Sequence, residues 1–129
     1  MRLSSGKQKV HSAVILIGHG SKVPGSDLAM QKVAKALGKE KKYTHVFCAF
    51  LEISEPSIPD AIESAFKKGA SEIKLVPYFV HIGRHVSEDI PKIASLASKK
   101  YPKVKIKLCP YLGYDEKLVE IVRKRLEDV

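Results

Sequence analysis

Three of the five histidines follow apolar segments, at positions where their side chains could share a metal ion. His19 follows the apolar run at residues 13–17 after one glycine, Gly18, and His81 and His85 follow a later apolar segment. A neutral imidazole binds borderline divalent cations, and two or three imidazoles from neighbouring loops hold an ion while leaving coordination positions open. Each ring also has a purely structural interpretation, in which His19 fills a glycine-flanked turn and His85 caps a helix. Their joint placement favours the metal site.

The spacing of His81 and His85 leaves the role of His81 open. Residues four apart stack on one face of a helix. Gly83 lies between these two and favours a turn. We therefore expect His81 to point away from His85.

Two other chemistries fit the loop after the first apolar run less well. A dinucleotide fingerprint, G-x-G-x-x-G, matches Gly18 and Gly20, but Val23 replaces the third glycine. A histidine-nucleophile phosphatase needs an arginine directly before the His-Gly pair, where this chain has Gly18. Arg84 from the later loop could replace that arginine, so phosphatase chemistry stays open as an alternative.

Short apolar runs alternate four times with stretches of helical spacing, a pattern that predicts four βα units. The predicted strands cover residues 13–17, 45–51, 72–80 and 103–109. The predicted helices run from Ser26 to a stop at Gly38, over 58–66 before Gly69, over 87–100, and from Asp115 to Leu126.

This order predicts an α/β fold with a doubly wound, four-stranded parallel sheet, strand order 2-1-3-4, and helices on both faces. Residues 103–109 alternate lysine with apolar residues, which indicates an edge strand. Pro77 cannot donate to a sheet, so pairing either ends near Val76 or is distorted there. Ligands bind such sheets at the switch point, beyond the carboxyl ends of strands 1 and 3.

Length and composition are those of one domain, residues 1–129, with 44% apolar and 29% charged residues. Residues 1–12 are expected to form a flexible segment, and they lack the apolar stretch of an export signal. No apolar run is long enough to cross a bilayer. Without an export signal or a bilayer span, we expect a cytoplasmic protein. Cys48 and Cys109 lie in apolar stretches and are expected to be buried, reduced thiols.

The net charge of +9 indicates either an anionic binding partner or a basic face exposed to solvent. The lysines are scattered, mostly at the ends of predicted helices, and no nucleic-acid-binding motif accompanies them. We therefore expect a mostly solvated basic face, with a minority of residues directed at an anionic ligand and no nucleic acid or membrane partner.

Three segments together resemble a known family: IGHGS after the first strand, AFLEISEPSI at the end of the second, and PYFVHIGRHVSEDIP across the third strand and helix. They are similar to the small archaeal form of the class II tetrapyrrole chelatases, the CbiX-type sirohydrochlorin cobaltochelatases, over residues 13–126. The resemblance implies insertion of Co²⁺ into sirohydrochlorin with release of two protons, in anaerobic cobalamin synthesis. It implies no organic cofactor. Related enzymes insert Ni²⁺ or Fe²⁺ into the same ring.

By motif position, the resemblance makes His19 and His85 the metal-binding pair, with His19 also a proton acceptor. It places an acidic residue near the substrate; both Glu52 and Glu55 fit, and Glu52 is favoured because it stands directly at the strand end. Lys22 and Arg84 are expected to pair with carboxylates of the tetrapyrrole. The backbone expected beneath the macrocycle comprises Val80, His81, Ile82, Gly83, Arg84 and His85.

Longer members of that family resemble two tandem copies of a unit of this size. We therefore expect a symmetric homodimer with the site between subunits, formed partly by the apolar faces around the second and third units. Three alternatives remain for the function: a nickel chelatase acting on the same ring, a non-catalytic Co²⁺ or Ni²⁺ carrier, and the phosphatase.

Overall fold

The computed structural model describes residues 11–129; residues 1–10 of the predicted flexible segment lie outside the described residues. Strands and helices alternate in four βα units, as predicted. They are β1 (Ser12–Gly18), α1 (Leu28–Lys39), β2 (His45–Phe50), α2 (Ile58–Lys67), β3 (Glu72–Pro77), α3 (Arg84–Lys100), β4 (Lys105–Leu108) and α4 (Glu116–Glu127). Ser12 is buried within β1, so the predicted boundary of the flexible segment, at residue 12, was placed too late in the chain.

The four strands form one parallel sheet in the order β2-β1-β3-β4, which confirms the predicted doubly wound topology. β1 lies at the centre, where Ile15 is the register partner of Phe47 in β2 and of Leu75 in β3. Six of the seven β1 residues are buried, because the strand is covered on both faces. The switch point of the sheet therefore lies beyond the carboxyl ends of β1 and β3.

Helices cover both faces of the sheet. α2 and α3 pack on one face, against the odd-numbered residues of β1, and α1 packs on the other face, against Val14 and Leu16. The chain crosses the sheet in one direction from β1 to β2 and in the opposite direction from β2 to β3. Right-handed crossovers then place α1 and α2 on opposite faces.

α3 begins at Arg84, three residues before the predicted start at Ser87. Ser87 has the residue type of an N-cap, but Gly83 occupies that position in extended conformation and its carbonyl accepts from the Ser87 N–H. The Ser87 hydroxyl donates to the Arg84 carbonyl at 2.8 Å. His85 therefore lies in the first turn of a helix rather than in a loop.

The two predicted glycine stops have different outcomes. α2 ends as predicted before Gly69, which has a φ of +91°. α1 instead continues through Gly38 to Lys39, and the chain takes a positive φ, of 57°, only at Lys41. The prediction that α1 stops at Gly38 was wrong because the left-handed turn that a glycine favours comes three residues later.

β3 ends at Pro77 rather than at the predicted Val80. The Leu75 carbonyl accepts from the Cys109 N–H at 2.8 Å. Pro77, two residues on and directed at the same neighbouring strand, has no N–H to donate, so the ladder with β4 ends there. β4 is shorter than the predicted strand 103–109. Among the strands of residues 11–129 it pairs with β3 alone, which confirms its predicted edge position.

α4 has no buried residue and makes no substantial contact with any other helix or strand of residues 11–129. Its exposed apolar side chains are Val119, Ile121, Val122 and Leu126, and those exposed just before it are Leu108, Tyr111, Leu112 and Tyr114. Several large apolar side chains exposed on one helix and the segment before it are typical of an interaction site.

The two cysteines differ in how deeply they are buried. Cys48 is buried, and that burial, with a smaller effect from the charge of Asp27, raises the pKa of its thiol to about 11. Cys109 is only half-buried, and both thiols are free. The prediction of a buried thiol is therefore confirmed for Cys48 and only in part for Cys109. No helix within residues 11–129 has both the length and the apolar character of a bilayer span.

Candidate functional site

The loops that follow β1 and β2 are joined by hydrogen bonds. The Glu52 N–H donates to the His19 carbonyl at 3.1 Å. Further along, the Ser21 N–H donates to Ser54 Oγ at 3.0 Å, and that hydroxyl donates to the Ser21 carbonyl at 3.1 Å. The two loops therefore form one unit that holds His19 and Glu52 side by side.

Gly20 is required for this close approach. It has a φ of +103°, and a Cβ added there would overlap the Glu52 carbonyl oxygen. The same carbonyl accepts from the Ser54 N–H at 2.7 Å across Ile53, which has a φ of 68°. A tight turn of this kind is strained for a β-branched residue, and such strain is concentrated at functional sites.

His19, Glu52 and His85 line one cleft of about 200 Å³ beside the carboxyl ends of β1 and β2 and the first turn of α3. Two further polar side chains of α3, Asp89 and Lys92, complete its polar lining. The apolar part of its lining consists of Leu51, Val86, Ile93 and Leu96. The cleft therefore combines two imidazoles, two carboxylates and one ammonium group with an apolar wall.

The imidazoles and carboxylates of the cleft are arranged as two separate pairs. His85 Nε2 lies 2.9 Å from Asp89 Oδ2, a hydrogen-bond distance, whereas His19 Nε2 lies 3.9 Å from Glu52 Oε2. Within residues 11–129, no three His, Cys, Asp or Glu side chains lie close enough together to form a ready-made metal cluster. All four side chains are at least a third exposed, so a solvated ion can reach them.

The structure places the other predicted site residues outside this cleft. Glu55 is exposed in the segment that leads into α2, and His81 is exposed before α3, outside the helix that carries His85. The remaining predicted substrate-binding residues that do not line the cleft are Lys22, Val80, Ile82, Gly83 and Arg84. They lie in the segments adjoining His19 and His85.

Sequence reasoning missed Asp89 and Lys92. Asp89 is four residues after His85 and Lys92 is seven, a spacing that puts all three on one face of a helix. The helix predicted from the sequence begins at Ser87, after His85, so it does not include His85 and could not place the three residues on one face. A predicted helix with Gly83 as its N-cap would include His85 and would place Asp89 and Lys92 beside it.

The CbiX family model matches residues 13–129. A sirohydrochlorin cobaltochelatase from Methanosarcina barkeri is 33% identical over 122 residues, which cover 89% of this chain and 94% of that protein. A sirohydrochlorin ferrochelatase from Bacillus subtilis is 33% identical over 120 residues, which cover 91% of this chain and 45% of that protein.

Among solved structures, the sirohydrochlorin chelatase SirB from Bacillus subtilis subspecies spizizenii, in complex with cobalt, superposes with a TM-score of 0.83 and 29% identity. The superposition covers 92% of this chain and 50% of that one, so the chain spans about half the length of the Bacillus relatives. Because the family model covers all eight secondary-structure elements, the chain is a member of the CbiX family.

Proposed function

We propose that this protein inserts Co²⁺ into sirohydrochlorin with release of two protons, in anaerobic cobalamin synthesis. The main observation in support is that His19, Glu52 and His85, expected from the sequence to carry the reaction, line one solvent-accessible cleft. The relatives named as sirohydrochlorin chelatases give independent support.

The proposed reaction exchanges two protons of the ring for one metal ion. His19 and His85 bind Co²⁺ and replace part of its water shell, and two imidazoles hold the ion weakly enough to release it. As the metal then moves from His19 to the ring, two pyrrole N–H bonds break. One proton passes to the freed nitrogen of His19 and the other to Glu52, and the ring nitrogens bind the metal with the electron pairs left behind. Both protons leave to solvent, which restores the site.

The lining of the cleft suits an acidic macrocycle. The apolar wall, which includes Leu51 and Leu96, can receive the ring, while the Lys92 ammonium group can pair with a peripheral carboxylate. Lys22 and Arg84 are exposed in the adjoining segments and are proposed to bind further carboxylates. The backbone from Val80 to Gly83 is proposed to run beneath the ring.

Cobalt is the metal we favour, although the relatives differ. The Methanosarcina barkeri protein, which this chain covers almost completely, is named a cobaltochelatase, whereas the Bacillus subtilis relative is named a ferrochelatase. Ni²⁺ remains an alternative because imidazole sites bind it more tightly than Co²⁺. The test measures, without oxygen, how fast the sirohydrochlorin absorption changes with Co²⁺, Ni²⁺ or Fe²⁺. We expect the fastest insertion with Co²⁺; faster insertion of Ni²⁺ or Fe²⁺ would contradict the choice of cobalt.

The same assay separates the chelatase from a carrier. We expect the protein to accelerate Co²⁺ insertion over the uncatalysed reaction, and His85→Ala to abolish the acceleration without unfolding the chain, because the His85 side chain is 86% exposed. A carrier would leave the rate unchanged or lower it by sequestering Co²⁺. Hydrolysis of a chromogenic phosphate ester that depends on His19 would support the phosphatase; Arg84 is not among the residues lining the cleft, which disfavours it.

We also propose that two copies form a symmetric dimer with the site between them. The apolar surface of α4 and of the segment before it is exposed in the single chain, and a second copy would cover it. A second apolar groove lies between α2 and α3, where an interface was expected, and its residues Ile93 and Leu96 also line the cleft. An interface that includes this groove would bring the second copy to the edge of the site.

A further inference from the structure

Asp89 forms the shortest side-chain contact in the cleft. Its Oδ2 lies 2.9 Å from Nε2 of His85, one helical turn earlier on α3. The His85 side chain is 86% exposed, so few other contacts restrict its ring. The equivalent pair in the loops, His19 and Glu52, is separated by 3.9 Å, which is beyond hydrogen-bond distance.

We propose that Asp89 is a positioning residue, which holds the imidazole of His85 in the cleft and leaves its Nδ1 to bind the metal. At 2.9 Å the Asp89 carboxylate can only accept, so in this proposal His85 Nε2 carries the proton between the two side chains. The lone pair left on the ring is then that of Nδ1. A carboxylate behind a metal-binding histidine fixes the orientation of its ring.

The helix makes His85 the fixed partner of the two imidazoles. Asp89 and His85 are on consecutive turns of the same helix, so their separation does not depend on loop movement. His19 lies in the segment after β1, outside any helix or strand. Asp89 therefore gives the ion one preorganised ligand while His19 stays free to accept a proton and turn.

The test measures Co²⁺ binding to the whole chain without the tetrapyrrole, and it rests on the proposed function only in assuming that His85 binds metal. We expect Asp89→Ala to weaken Co²⁺ binding about 10–100-fold, the range found when such supporting residues are removed. Asp89→Asn keeps an oxygen acceptor for the Nε2 proton and should bind Co²⁺ more tightly than Asp89→Ala. Glu88→Ala removes the same charge from an exposed neighbour and should leave the affinity unchanged.

Two results would overturn the role of Asp89: an unchanged affinity in Asp89→Ala, or equal losses in Asp89→Ala and Asp89→Asn, which would mean that only the charge matters. A second readout is the nitrogen that His85 uses. In proton NMR of the Co²⁺ complex, binding through Nδ1 leaves the His85 Cδ2 proton on the far side of the ring and less broadened than the Cε1 proton. Equal broadening of the two protons would indicate Nε2 and contradict the proposal.

Failure of this inference is distinguishable from failure of the proposed function. If Co²⁺ does not bind, or binds equally well in His85→Ala, the proposed metal site itself is wrong. If binding depends on His85 and not on Asp89, the metal site stands and only the positioning role is lost.

Discussion

Glu52 and Glu55 stand three residues apart in one segment, yet only Glu52 lines the cleft, beside His19. The sequence left this choice open, with a preference for Glu52. The difference arises because the tight turn at Ile53 bends the chain directly after Glu52. The residue types in this segment do not predict that turn.

We expect Glu52→Gln to lower kcat for Co²⁺ insertion about 100-fold or more, because the amide cannot accept a pyrrole proton. Glu55→Gln removes the same charge from the same segment and should leave kcat near that of the unaltered protein. Steady-state rates from the sirohydrochlorin absorption give both values. A larger loss in Glu55→Gln would assign the acidic role to the other residue.

At the scale of the secondary-structure elements, the site depends on how closely the β1 and β2 loops approach. Gly20 and Gly25 both have positive φ, but only at Gly20 would a Cβ meet another segment. We expect Gly20→Ala to lower the free energy of unfolding by roughly 3 kcal/mol or more, since steric overlap adds to backbone strain. Gly25→Ala, with strain alone, should cost about 1 kcal/mol. Urea unfolding measures both; equal losses would show that the close approach is unimportant.

The β3–β4 edge carries an ion pair whose stability depends on pH. Lys107 Nζ lies 3.1 Å from Glu72 Oε2, and this hydrogen bond, with the charges of Lys107, Lys74 and Lys105, lowers the pKa of Glu72 against an opposing effect of burial. Because the folded pKa lies below the unfolded one, the pair stabilises the fold above the unfolded pKa. That contribution is lost as pH falls through the folded pKa.

We therefore expect Glu72→Gln to lower the free energy of unfolding at pH 7 by less than about 1 kcal/mol, as is usual for pairs near the surface. The difference from the unaltered protein should disappear in acid, below the folded pKa. Glu63→Gln, which breaks an exposed pair with Lys67 at 3.6 Å on α2, serves as the comparison. Unfolding curves across pH test this, and a difference that persists in acid would contradict it.

At the scale of the whole molecule, α4 is the element that packs against no other helix or strand within residues 11–129. We expect a mass near twice 14.3 kDa by light scattering at micromolar concentration. Val122→Asp should shift the protein to the monomer, because it places a charge in the proposed apolar interface.

Leu28→Asp provides a matched control for the dimer, since Leu28 on α1 is 55% exposed and Val122 is 57% exposed. It should leave the mass unchanged. A monomer with full chelatase activity would contradict both the dimer and the placement of the site between subunits.

The sequence by itself determined the order of the elements, the parallel sheet with β1 and β3 at its centre, and the edge position of β4. These features follow from apolar periodicity and from the handedness of crossovers, which depend on local residue types. It also brought His19 and His85 together as candidates, because the carboxyl ends of β1 and β3 meet at one edge of the sheet, and the family resemblance added Glu52.

Only the tertiary structure decided which neighbours complete the cleft and which apolar faces are covered. Asp89 and Lys92 share a helix face with His85 because α3 begins at Arg84, with Gly83 as its N-cap, instead of at Ser87. The helical pattern of α4 predicted an amphipathic helix but not its partner. An apolar stripe on a helix predicts that this face is buried. Whether it is buried against the same chain or against another molecule depends on how the rest of the chain packs.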